Sequence, residues 1–98
     1  MTEILLIAGP EGHDDELVAS AAAHRPTHVT VLVEANDPAW SWSETRAARA
    51  RRDRLATLLT ATELTTGAAV VGIVGHPAQL EVGGFDAVVG GRNLLTAA

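Results

Sequence analysis

The stretch LLIAGPEGHDDEL, from Leu5 to Leu17, runs from apolar residues through a Gly-Pro break into His13-Asp14-Asp15-Glu16, four consecutive potential metal ligands. Two readings compete for it. As chemistry, the four ligands suggest a metal-dependent hydrolase. As structure, Ile4 to Ala8 is a strand ended by Gly9-Pro10, and the acids open a helix whose dipole favours negative charge in the first turn. An apolar run without polar alternation fits a strand covered on both faces, as in a parallel sheet. The first reading makes the chain an enzyme, and the second leaves a binding or interaction domain.

The rest of the chain repeats this alternation. Asp14 to His24 is rich in Ala and Leu and meets no breaker until Pro26, so it reads as a helix with His24 and Arg25 in its last turn. Val29 to Val33 is a β-branched strand. A longer helix follows, with Ser41 and Glu44 spaced as a capping box and Asp37-Pro38 as an earlier possible start. Ala48, Leu55, Leu59 and Thr62 share one side of it, and Gly67 ends it. Ala69 to Val74 is a third strand, Gly75-His76-Pro77 opens one or two helical turns, and Phe85 to Val89 is a fourth strand before Gly90-Gly91. The fold expected is α/β. It is an open parallel sheet of four strands in order 3-2-1-4, with helices on both faces, in a single domain over 1–98.

Composition narrows the function. The chain has 98 residues, 47% hydrophobic and 19% charged, which supports one modest core. It has no Cys, which excludes thiol catalysis, disulfides and zinc fingers. All seven basic residues are Arg, so there is no lysine for a P-loop or a Schiff base. A net charge of −5 argues against a nucleic-acid partner. The apolar run at Ile4 is too short to span a membrane and has no basic leader, so a cytoplasmic protein is expected.

Two segments together resemble the universal stress protein family. VVGIVGHPAQLE resembles its third strand and Gly-x-Pro turn, and GFDAVVGGR its fourth strand and Gly-rich turn. The order of elements from Glu3 to Arg92 fits as well. The resemblance implies a stress-response domain with a doubly wound sheet and frequent homodimers. Some members bind ATP, using an Asp after strand one and a G-x-x-G-x9-G-[ST] motif after strand four. Here Ala8-Gly9-Pro10 replaces the Asp, Gly90 fits the first motif glycine, and Asn93 stands at the second. The third would fall past Ala98, and the final helix and fifth strand have no counterpart. A short family member without ATP, metal or catalysis is therefore expected. If a nucleotide binds, Gly75, Gly90, Gly91 and Arg92 are the residues to hold it.

Other candidates carry less. His13-Asp14-Asp15-Glu16 also resembles the H-P-D-D-E motif of zinc-dependent sugar deacetylases, but matching its acids puts Gly12 where the first His belongs. His13, Asp37 and His76 each follow a strand and would rim one edge of the sheet, with His13 and His76 roughly 10 Å apart. Arg46, Arg49, Arg51, Arg52 and Arg54 spread around their helix and read as a solvated face or as a docking surface for an acidic partner. Trp40 and Trp42 either pack over the end of the sheet or mark an interface. His24 and His28 read as surface residues. Strand four would be a bare apolar edge, with Asp86 its only charge. A homodimer through that strand or the tail Asn93-Leu94-Leu95-Thr96 is expected, or else a protein partner.

Overall fold

A computed structural model describes residues 2–9, 12–34, 46–75 and 84–90, with side chains in the third range from 49 onward. The elements are β1 (Glu3–Ala8), α1 (Asp14–Ala23), β2 (His28–Glu34), α2 (Arg46–Thr66), β3 (Ala69–Gly75) and β4 (Ala87–Gly90). The strands form one sheet in order β3-β2-β1-β4, and every neighbouring pair is parallel. The expected order 3-2-1-4 is the observed one. The capping positions Ser41 and Glu44, and Trp40 and Trp42, lie outside the described residues.

Register separates the sheet into two faces. Ile4, Leu6 and Ala8 align with Val29, Val31 and Val33, with Val70, Gly72 and Val74, and with Ala87 and Val89. All of these except Gly72 form one core with Val18 and Ala21 of α1 and Leu58 of α2. The opposite face carries Leu5 and Ile7, Thr30 and Leu32, Val71 and Ile73, and Val88. Leu5, Ile7 and Leu32 cluster there with Phe85 and Val88. All of Ile4 to Ala8 is buried, as a strand covered on both faces should be.

Both described helices pack on the first face, and the one or two helical turns expected after Gly75-His76-Pro77 lie outside the described residues. Handedness explains the shared face. The crossovers β1-α1-β2 and β2-α2-β3 step the same way along the sheet, and right-handed crossovers stepping the same way put their helices on the same side. Only the connection from β3 back to β4 reverses direction, and its residues 76–83 lie outside the described residues.

Two boundaries and one buried position differ from expectation. Helix α1 ends at Ala23, so His24 and Arg25 lie beyond its last turn. Their N–H groups donate to Ala21 O at 3.1 Å and Ala22 O at 3.0 Å, tightening the end. Arg25 takes the left-handed φ of 51° directly before Pro26, which cannot continue a helix. Strand β4 starts at Ala87 because Asp86 closes the start of β1 instead. Its N–H donates to Glu3 O at 2.8 Å, and its carboxylate accepts from Glu3 N–H at 2.7 Å. Leu58, missing from the expected stripe of α2, is buried with Thr62.

The two edges also differ. In β4, Val89 is buried and Ala87, Val88 and Gly90 are half-buried, and among the described residues no strand pairs with its outer side. The more exposed edge is β3, where Val71 is 60% and Ile73 39% exposed.

Candidate functional site

Parallel sheets present ligands at the carboxyl ends of their strands, and the acidic start of α1 follows β1 there. Asp14 is engaged by α2. Arg54 Nε donates to Asp14 Oδ2 at 2.9 Å, and Arg54 Nη2 donates to Oδ1 at 2.5 Å. This fork-on-carboxylate geometry is the strong form of the ion pair. The hydrogen bond from Arg54, aided by its charge and by His13, holds the Asp14 carboxyl below its usual value, against desolvation. The hydrogen bond to Asp14 raises Arg54 in turn, with Glu34 adding to it through its charge. The pair ties α1 to α2 and occupies both carboxylate oxygens of Asp14.

The neighbouring residues are less constrained. His13 precedes the helix at φ 64° and ψ 31° and makes no side-chain capping bond. It is largely exposed, with Nδ1 3.9 Å from Glu16 Oε2. Among the described residues, no three His, Asp or Glu side chains are grouped so that they could hold a metal ion. Asp37 and His76, the other members of the candidate rim, lie outside the described residues.

The candidate nucleotide glycines are spread apart. Gly75 ends β3 and Gly90 ends β4, at opposite edges of the sheet. Three strand spacings of about 4.8 Å put them about 14 Å apart. Gly91 and Arg92 lie outside the described residues. Gly90 also has a packing reason to be glycine. Its φ is +81°, and a Cβ there would stand 2.2 Å from Ile7 O and 3.0 Å from Leu17 Cδ2. The bare backbone lets β4 close against β1 and α1.

A depression of about 350 Å³ lies at the other end of the sheet, against the amino ends of the strands. Glu3, His28, Thr30, Ala69, Val71 and Phe85 line it on the face away from the two helices. Hydrogen bonds join the residues that precede Glu3 and His28 in the chain. Thr27 Oγ1 donates to Thr2 O at 3.0 Å and accepts from Thr2 N–H at 3.1 Å, and it lies 3.1 Å from His28 Nδ1. Val71 belongs both to this hollow and to the exposed edge.

Sequence reasoning missed the Asp14–Arg54 pair and the amino-end depression. The pair was discoverable in principle, because the handedness rule puts α1 and α2 side by side. Choosing Arg54 among the arginines of α2 needs the helix rotation, which Leu55, Leu58 and Thr62 fix. The depression depends on what leaves Val71 uncovered, and no local pattern encodes that.

No helix among the described residues is long and apolar enough to cross a membrane. Comparison of the chain with protein-family models, curated proteins and solved structures finds no match.

Proposed function

We propose that this chain is a universal-stress-protein-like domain of the cytoplasm, without enzymatic activity, that works by self-association or by engaging a protein partner. One observation carries the reading. At the described carboxyl end Asp14 and Gly90 are committed to packing, whereas on the sheet face away from the helices Val71 and Ile73 stand in water. Asp14 is held by Arg54, and Gly90 serves the β1–β4 approach. Val71 and Ile73 remain exposed, and exposed contiguous apolar surface marks association sites. A phosphate cradle, by contrast, needs free backbone N–H groups converging on one point.

The test is calorimetric titration of the full chain with ATP and Mg²⁺, paired with an assay for ATP turnover. No saturable heat and no turnover at micromolar to low-millimolar nucleotide is the expected result. Saturable micromolar binding would instead establish an adenine-nucleotide module, and turnover an enzyme.

A further inference from the structure

Among the described residues, strand β3 lacks the common protections of a sheet edge. Its sequence, AVVGIVG, has no charge and no proline over seven residues. Among the described residues no strand pairs with its outer side. Natural edges are usually blunted by Lys, Pro, a bulge or a cover, because a bare edge is a template for another strand. On one side the strand is supported. Ideal Cβ placement at Gly72 would come within 2.8 Å of Leu55 Cδ1 and 3.0 Å of Leu59 Cδ1, so α2 sits tightly over it. On the other side Val71 and Ile73 are open.

We propose that β3 pairs antiparallel with β3 of a second copy across a two-fold axis at Gly72, joining two four-stranded sheets into one. The inference rests on the association reading above and names its surface. An edge strand and its two-fold copy are self-complementary in backbone donors and acceptors. In this register Val71 faces Ile73 of the partner subunit, and Ile73 faces Val71 of the partner subunit. The two exposed large apolar residues of the sheet thus cover one another as β-branched cross-strand pairs. Val70 and Val74 oppose each other in the same way on the helix-covered face. The register brings no like charges together, because the strand has none. A seven-residue strand is about 23 Å long. Such an interface is small, so association falls in the upper micromolar range, below that of standard-sized complexes.

Sedimentation velocity of the full chain from about 10 µM to 1 mM, a span that populates even weak dimers, tests the inference together with V71K. Val71 is exposed enough for Lys to leave the monomer folded, which thermal unfolding at low concentration checks. The expected result is a concentration-dependent dimer that V71K weakens at least tenfold. The register is read separately. The chain has no Cys, so V71C and I73C can be oxidised alone or mixed. The mixture should give a disulfide-linked heterodimer in clear excess over either variant alone. A wild-type dimer unaffected by V71K would put the interface elsewhere and overturn this surface, while leaving the association reading in place. A monomer up to 1 mM would overturn the self-pairing, including the case where the edge takes only a foreign strand. Nucleotide binding or turnover would strike the functional reading and leave the strand pairing to its own result.

Discussion

Replacing Gly90 with Ala separates a packing glycine from a ligand-binding one. Three effects add. A non-glycine residue at a φ of +81° carries a left-handed cost of about 1–2 kcal/mol. The new methyl would stand 2.2 Å from Ile7 O, a backbone atom that cannot rotate away. Reaching ordinary contact requires the end of β4 to move by roughly 1 Å, which strains the pairing of Ile7 with Gly90 and loses about one hydrogen bond, worth roughly 0.5–1.5 kcal/mol. Leu17, 3.0 Å from the same point, must shift as well. The expected loss is about 3 kcal/mol, a large share of the roughly 5–15 kcal/mol typical of a domain. At roughly 4–8 °C per kcal/mol, the midpoint should fall by at least about 12 °C.

Thermal unfolding followed by circular dichroism gives the answer, with two controls. Gly67 has a φ of +71° but nothing within 4 Å of its would-be Cβ, so G67A should cost only about 1 kcal/mol. Gly84 has open space and an ordinary φ, and G84A should stay within about 0.5 kcal/mol of wild type. If G90A proves no more damaging than G67A, the close approach of β4 to β1 is wrong. The glycine would then be free for a ligand.

Further expectations follow from single contacts. D14N keeps the shape of the side chain but removes the charge facing half-buried Arg54, and should cost about 1–2 kcal/mol, against under about 0.5 for D15N. Because Asp14 titrates below its unfolded value of about 3.9, the wild-type advantage over D14N is full above that pH. It should disappear as acid titrates the folded carboxyl, which a pair of unfolding series from pH 7 to pH 2.5 would show. Thr62 Oγ1 is buried with no hydrogen-bond partner among the described residues, so T62V should stabilise by about 1 kcal/mol in a urea titration. An unchanged or lower midpoint would mean that the hydroxyl is satisfied. R25G relieves a left-handed φ of 51° just past α1 and should raise the thermal midpoint by a few degrees, about 0.5–1 kcal/mol. A drop would show that the Arg25 side chain contributes to stability.

The sheet was legible because its information is local. Ile4 to Ala8, Val29 to Val33 and Ala69 to Val74 are short runs bounded by breakers, and the crossover rule orders such strands with few alternatives. The side of the sheet taken by each helix was legible too, but only if the handedness rule is applied to each step. Steps one and two share a direction, so α1 and α2 share a face. The ends were less legible because they are set by contacts distant in sequence. Asp86 leaves the β4 run to bond Glu3, a residue 83 positions away. Arg25 leaves the α1 pattern because Pro26 follows it.

The same distinction governs the candidate site. HDDE looks like a ligand cluster when only neighbours in sequence are counted. In space, Asp14 faces Arg54, forty positions away. A carboxylate gripped by a guanidinium at both oxygens has one lone-pair direction of each oxygen occupied and its charge neutralised, which makes it a poor place to start a metal site. Gly90 shifts in the same direction, from motif glycine to packing glycine, once Ile7 O is seen beside it. Two of the candidates for carboxyl-end chemistry, Asp14 and Gly90, thus acquire a structural reason. The exposed Val71 and Ile73 acquire none among the described residues. Apolar side chains in water are a standing cost that association removes, and within the described residues of the sheet that cost is concentrated at the edge of β3 and not at the carboxyl ends of the strands.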